Sequence, residues 1–253
     1  MFSNSYIFKY ASIMVIVVAA LLSAAAILLQ PAQERNVKIE KIQDILQSAN
    51  IESTTSNAEE LYNKHIVKEI LINSAGEEVS VYANGKFEKG DKRAFMVDLK
   101  AELKVQKQLK SGKGSQEPVF PLFLCRKVDT DLYIIPMYGT GLWGPVWGNM
   151  ALKSDLNTVE GVTFGHKGET PGLGAEISTE IFESQFPGKT ILDENGNFVS
   201  IKVVKGGVSN SNINPMHGVD AISGGTITSD GVNNMLNDCL ENYVPYIKNQ
   251  KAI

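Results

Sequence analysis

The chain has 253 residues, 43% of them hydrophobic and 21% charged, with a net charge of −4. That balance argues against a nucleic-acid partner, which calls for a basic surface, and beyond an apolar N-terminal segment it leaves enough chain for one sizeable core. Two distant cysteines, Cys125 and Cys239, exclude a disulfide-dense scaffold and a cysteine-ligated iron–sulfur cluster; they read as buried thiols, with a single bridge as the alternative.

No charged residue occurs between 11 and 29, a run that meets the ~20 apolar residues a helix needs to cross a bilayer. We read 1–10 as a short cytoplasmic stub and 11–30 as an uncleaved transmembrane helix, ended by Gln30-Pro31. A cleaved signal sequence competes, because Ala24-Ala25-Ala26 mimics a cleavage site. The apolar run continues past that site to Leu29, however, beyond a signal core of about 7–15 residues. The positive-inside rule decides little here, with Lys9 before the span and Arg35, Lys38 and Lys41 after it; the short stub in front of the span points to an exported domain.

A helical neck, 31–75, is expected next. Val37, Ile42, Ile45, Leu46 and Ala49 share one face of a helix over 34–51. Ser53-Thr54-Thr55-Ser56-Asn57 then breaks the chain, and a second helix over 58–72 carries Leu61, Tyr62, His65, Ile66 and Ile70. One mixed domain, 76–253, follows. It opens with a strand over 78–82 and a hairpin turn at Asn84-Gly85. The basic stretch 100–113 reads as an exposed loop. Strands are expected at 119–126, 131–137, 161–164 and 198–204, and helices at 175–186 and 229–247. In the last helix Val232, Met235, Leu236, Cys239, Leu240, Tyr243 and Ile247 recur at three- and four-residue intervals. The fold class is α+β: a single N-terminal transmembrane helix, a helical neck and one mixed α/β domain, with its motifs concentrated between about 137 and 235. His65, His166 and His217 lie far apart and form no metal-binding pair.

Three loops carry the chemistry. Gly139-Thr140-Gly141-Leu142-Trp143-Gly144 has the GxGxxG spacing of a dinucleotide fingerprint, with Glu160 beyond it. Pro145, Trp147 and Gly148 then replace the helix that such a site requires. A Gly-rich turn with Trp143 and Trp147 packed over the core is the plain alternative; a loop that brings backbone and aromatic surface close to a flat ligand is the functional one. Glu169-Thr170-Pro171-Gly172-Leu173-Gly174 offers turn chemistry at Pro171-Gly172. It also offers polar contacts at Glu169 and Thr170 and an apolar face at Leu173. Asp220 to Asp230 leads into the strongest helix, with hydroxyls at Ser223, Thr226, Thr228 and Ser229 around Gly224-Gly225. Thr228 or Ser229 serves as a helix cap, and the helix start favours a phosphate. A Ser/Thr-rich cap of a buried helix would look similar.

These three loops, in this order behind one span, resemble the C subunits of the Na⁺-translocating NADH:quinone reductases (the NQR complexes), respiratory assemblies of six different subunits. The family's flavinylation motif is Asp-x-x-Ser/Thr-Gly-Ala-Thr/Ser-x-Thr. Asp220, Ser223, Gly224, Thr226 and Thr228 match it, and Gly225 replaces the usual alanine. Gly141-Leu142-Trp143-Gly144 and Glu169-Thr170-Pro171-Gly172-Leu173-Gly174 are typical of the same family and line its flavin site. The resemblance implies FMN joined through its phosphate to Thr226 by a flavin transferase, with Asp220, Ser223 and Thr228 helping recognition and the transferase supplying the activation; His217 is the one nearby candidate base. It further implies that the FMN-binding domain lies on the periplasmic side of the inner membrane and passes electrons singly between NADH oxidation and ubiquinone or menaquinone reduction. Sodium transport falls to multi-span partners. Two alternatives remain: the G subunit of the Rnf-type electron-transport complex, and an anchored binding module without redox chemistry.

Overall fold

The computed structural model describes residues 3–128 and 130–251, so Met1, Phe2, Asp129, Ala252 and Ile253 lie outside the described residues. The chain forms two compact units, Met1–Ile42 and Gln43–Ile253. Helix α1, Asn4–Ser48, begins in the first and ends in the second. Its most apolar 18-residue window has a mean hydropathy of 2.8 and is unburied, with Leu21, Leu22, Ile27 and Leu28 all exposed, as a bilayer-facing surface requires. Helix α1 runs through Pro31 without a break. Proline removes one bond of the ladder, but Gln30, Ala32, Gln33 and Glu34 around it are strong helix formers that keep the rest.

The second unit is built on one sheet. Its strands are β1 (Ile66–Ile72), β2 (Glu78–Ala83), β3 (Lys86–Lys89), β4 (Phe120–Lys127), β5 (Thr130–Thr140), β6 (Pro145–Leu152) and β7 (Val159–His166). They lie in the order β3-β2-β1-β4-β5-β6-β7, and every neighbouring pair is antiparallel. Asn84 and Gly85 turn the β2–β3 hairpin with φ of 51° and 76°, the doubly left-handed geometry of a tight hairpin.

Three sequence expectations change here. The helix expected over 58–72 stops early: α2 is Ala58–His65, and Ile66–Ile72 is β1. β1 pairs with both β2 and β4, and its β-branched Ile66, Val67, Ile70 and Ile72 suit that central position. The basic loop expected over 100–113 is largely helix α3, Leu99–Lys110, capped by the Asp98 carboxylate, which accepts the Ala101 N–H at 3.3 Å. Leu99 and Leu103, one turn apart, pack on the core beneath the lysines. The helix expected over 175–186 is a 3₁₀ turn, Gly174–Ser178, followed by the short α4, Glu180–Glu183. The Ser178 and Thr179 hydroxyls donate to the carbonyls of Ala175 and Glu176, which competes with a continuous helix.

Toward the C-terminus, β8 (Lys202–Val204) pairs in parallel with β9 (Gly218–Asp220). Helix α5, Thr226–Leu240, then crosses the sheet, and α6, Val244–Lys251, ends the described chain. Val232, Met235, Leu236 and Leu240 of α5 join Ile135, Met137, Val146 and Met150 of the sheet in one buried core. Each such aliphatic side chain contributes about 2 kcal/mol on burial. At Gly231 a Cβ would lie 2.3 Å from the Thr140 carbonyl, so α5 can press onto the end of β5 only with glycine there. Cys125 and Cys239 are free, buried thiols.

Candidate functional site

The turn between β5 and β6, the loop after β7 and the start of α5 meet at Glu169, whose side chain is buried. Its Oε1 accepts the Trp143 backbone N–H at 2.8 Å. Its Oε2 accepts the Thr228 hydroxyl. Its own N–H donates to His166 Nδ1 at 3.2 Å. The packing is tight on both sides: a Cβ at Gly141 would lie 2.6 Å from Oε1, and one at Gly174 would lie 2.6 Å from Oε2 and 2.4 Å from Thr228 Oγ1. The two loops therefore carry glycine where the carboxylate passes.

The start of α5 differs from expectation in one respect. Its N-cap is Gly225, which offers no capping side chain, rather than Thr228 or Ser229. Both hydroxyls are turned inward and used elsewhere: Thr228 donates to Glu169, and Ser229 Oγ accepts the Ile222 N–H at 3.1 Å. Thr228 and Ser229 are each 1% exposed, whereas Ser223 and Thr226 face solvent. The first helical N–H bonded to a carbonyl is that of Ser229, to Gly225 O at 2.8 Å; the amides before it are the free donors of any helix start. Gly224 has φ of 75° and lies against Leu173, whose Cδ2 would be 2.6 Å from a Cβ there. At Gly225, the position of the family's alanine, a Cβ would lie 3.0 Å from Ile222 Cγ2 and 3.3 Å from the Gly174 nitrogen. The Ile222 side chain thus takes up the space a methyl would use.

Around this centre the surface is apolar. Leu142, Trp143, Leu173 and Ile227 are 48%, 68%, 42% and 56% exposed. Exposed apolar side chains of this size suit contact with a ligand or a partner. The plain alternative, with Trp143 packed over the core, does not hold; Trp147 alone is laid down, against Gly165, where a Cβ would be 2.4 Å from its Nε1. The fingerprint alternative fails as well, since β6 begins at Pro145 in place of a helix. Thr170 is exposed and its carbonyl accepts the N–H groups of Leu173 and Ala175, each at 3.1 Å, which shapes the turn at Gly172.

Asp220 ends β9, and Gln185 holds its backbone: the Asp220 N–H donates to Gln185 Oε1 at 2.7 Å. Asp220 Oδ1 accepts the Val208 N–H at 2.7 Å. Asp220, Ser223, Gly172, Glu176, Gln185 and Ile181 line a cleft of about 760 Å³. His217 is engaged away from Thr226, with Nδ1 within 2.8 Å of the Thr190 carbonyl. Sequence reasoning passed over Gln185 and Ile227. Gln185 carried no local signal. Ile227 did, as an apolar residue off the buried face of α5.

Fold and site together define an FMN-binding domain on a chain with one long apolar helix. Residues 141–241 match the family described as FMN-binding domain. The C subunit of the Na(+)-translocating NADH-quinone reductase of Vibrio parahaemolyticus is 34% identical over 220 residues, which cover 86% of this chain and 83% of that protein. Its Haemophilus ducreyi counterpart is 32% identical over 222 residues, covering 87% and 82%. Among solved structures, the C subunit of the Na(+)-translocating NADH-quinone reductase from Parabacteroides distasonis superposes with a TM-score of 0.70 at 39% identity, over 87% of this chain and 96% of that one. Shewanella oneidensis NqrC gives 0.66 at 26% identity, over 86% and 100%. The chain belongs to the NqrC family, the C subunits of the Na(+)-translocating NADH-quinone reductases.

Proposed function

We propose that the chain carries FMN as a phosphoester on Thr226 and serves as an electron-transfer subunit of a membrane complex that oxidises NADH, reduces quinone and moves Na⁺ outward. The observation that carries the attachment is the contrast in exposure between Thr226 and its neighbours. Thr228 and Ser229 are buried and bonded, whereas Thr226 is exposed at the first turn of α5. A phosphate there would meet the free N–H groups and positive end of α5. Gly224 and Gly225 keep side chains out of its way, and Ser223 supplies a neighbouring hydroxyl. Leu142, Trp143 and Leu173 offer the ring an apolar surface, with Thr170 and the turn at Gly172 at its polar edge. FMN supplies the chemistry that joins two-electron to one-electron carriers; the protein's part is to hold and orient it. Asp220 and Thr228 shape the motif from behind, through Val208 and Glu169.

The same reading makes the partners the other members of a complex of six subunits, together with a flavin transferase that loads Thr226. It puts the unburied segment of α1 across the inner membrane as a single span, with the flavin domain on the periplasmic side. A covalent bond suits that location, because free cofactor lost from an exported domain is not replaced. The test is to express the chain with its transferase and view a denaturing gel under ultraviolet light. A fluorescent band is expected that vanishes in Thr226→Val. A band that persists in the variant moves the bond to another hydroxyl, with exposed Ser223 next in line, and no band in either chain refutes covalent attachment.

A further inference from the structure

The Glu169 carboxylate is 4% exposed. Among the described residues no Lys, Arg or His forms an ion pair with it. A buried carboxylate without a cation is costly unless hydrogen-bond donors compensate it. Here one donor comes from each of two separate segments: the Trp143 N–H of the β5–β6 turn and the Thr228 hydroxyl of the first turn of α5. Gly141 and Gly174 close in on the same two oxygens. Both oxygens are thus committed to the protein.

We infer that Glu169 is a positioning residue that locks the turn 141–144 to the start of α5 and keeps a negative charge at the base of the site. Building on the FMN reading above, the lock sets the apolar side chains of Leu142 and Trp143 at a fixed place relative to Thr226. The charge opposes the addition of electrons to a flavin held there, so it lowers the flavin's potential. Glu169 acts through the protein, without touching the ligand.

Two substitutions separate bond from charge. Glu169→Gln keeps both contacts: the amide oxygen accepts from Trp143, and the amide NH₂ donates to Thr228 Oγ1, whose proton turns away. Glu169→Ala removes both. The lock is tested without flavin, in the full-length Thr226→Val chain in detergent, by backbone hydrogen exchange. Glu169→Ala is expected to speed exchange in 141–147 and 226–232 together, by about tenfold for a lost charge-assisted bond, while Glu169→Gln stays near the parent. If either segment keeps parental exchange in Glu169→Ala, the lock is refuted. Should that variant not fold, Thr228→Val releases one end only: faster exchange in 226–232 than in the parent supports the lock, and parental exchange overturns it.

The charge is tested in the flavin-loaded chain. Glu169→Gln is expected to raise the midpoint potential, changing the ratio of reduced to oxidised flavin at fixed ambient potential by about tenfold, as removal of a nearby charge from a low-dielectric site predicts. An unchanged potential overturns the electrostatic role, which a purely structural residue would not have. A parent chain that carries no covalent flavin would sink the attachment reading and leave the exchange experiment standing.

Discussion

Within seven residues of one loop, Gly168, Gly172 and Gly174 respond to the same added methyl in three different ways. At Gly168 a Cβ meets nothing within 4 Å and φ is outside the left-handed range. Gly168→Ala should be neutral or stabilising by about 0.5 kcal/mol, because alanine narrows the unfolded ensemble. At Gly172 there is open space too, but φ is 75°, and an L side chain in that region costs about 1–2 kcal/mol. At Gly174 the backbone accepts alanine and the neighbours do not: the methyl would lie 2.4 Å from Thr228 Oγ1, 2.6 Å from Glu169 Oε2 and 3.0 Å from Thr228 Cβ. Overpacking of that kind costs about 1–3 kcal/mol, and prising Thr228 from a buried carboxylate adds about 1.5–3 kcal/mol. Gly174→Ala should therefore cost about 3–5 kcal/mol, a large part of the stability of an ordinary domain of about 5–15 kcal/mol. Guanidinium unfolding of the full chain in detergent, followed by tryptophan fluorescence, gives the three differences directly. If Gly174→Ala unfolds within 1 kcal/mol of Gly172→Ala, roughly the resolution of such a ranking, the packing at Glu169 is not what the geometry says.

Two further effects follow from single groups. Thr228→Val keeps the shape of the side chain but leaves a buried Glu169 oxygen without its donor; it should cost about 2–3 kcal/mol in the same unfolding experiment, with Thr228→Ser restoring most of the loss. Burial pushes the Glu183 carboxyl up from 4.5 to about 7, helped by Asp44 and Glu180 and opposed by the bond it accepts from the Phe164 N–H. In the window between those two values the unfolded chain releases the proton and the folded chain keeps it. Stability then falls as pH rises from 4.5 to about 7 and levels off above. Solvent screening of this partly exposed group limits the fall to about 1 kcal/mol. Thermal unfolding of the parent and Glu183→Gln across that window should show a slope in the first and a flatter line in the second, since the amide oxygen still accepts from Phe164.

Much of the sheet was legible because its strands carry their own signals. The run at β4 is apolar with Phe120 and Phe123, that at β5 is apolar with the β-branched Ile134 and Ile135, and Asn84-Gly85 is a hairpin dipeptide whose backbone takes the geometry it prefers. The misreadings share a cause. Ile66, Ile70 and Leu71 fit one face of a helix as well as a strand, and pairing with β2 and β4 on either side decides for the strand. Five lysines between 100 and 113 suggested a solvated loop, while Leu99 and Leu103, at helical spacing, carried the contrary signal in fewer residues.

The site was legible as a set of loops but not as an arrangement. Hydroxyl by hydroxyl, Ser223, Thr226, Thr228 and Ser229 are equivalent in the linear chain, and helix-cap preference favoured the wrong pair. What separates them is a carboxylate 59 residues earlier than Thr228, which draws that hydroxyl inward, and an amide at Ile222 that engages Ser229. With two hydroxyls withdrawn, the helix starts earlier, at a glycine cap, and Thr226 is left exposed beside its free N–H groups. Gly225 shows the same dependence from the other side: its missing methyl is matched by the branched Ile222 that fills the space. A departure from the family's motif at one residue is thus read correctly only with the neighbour that compensates for it.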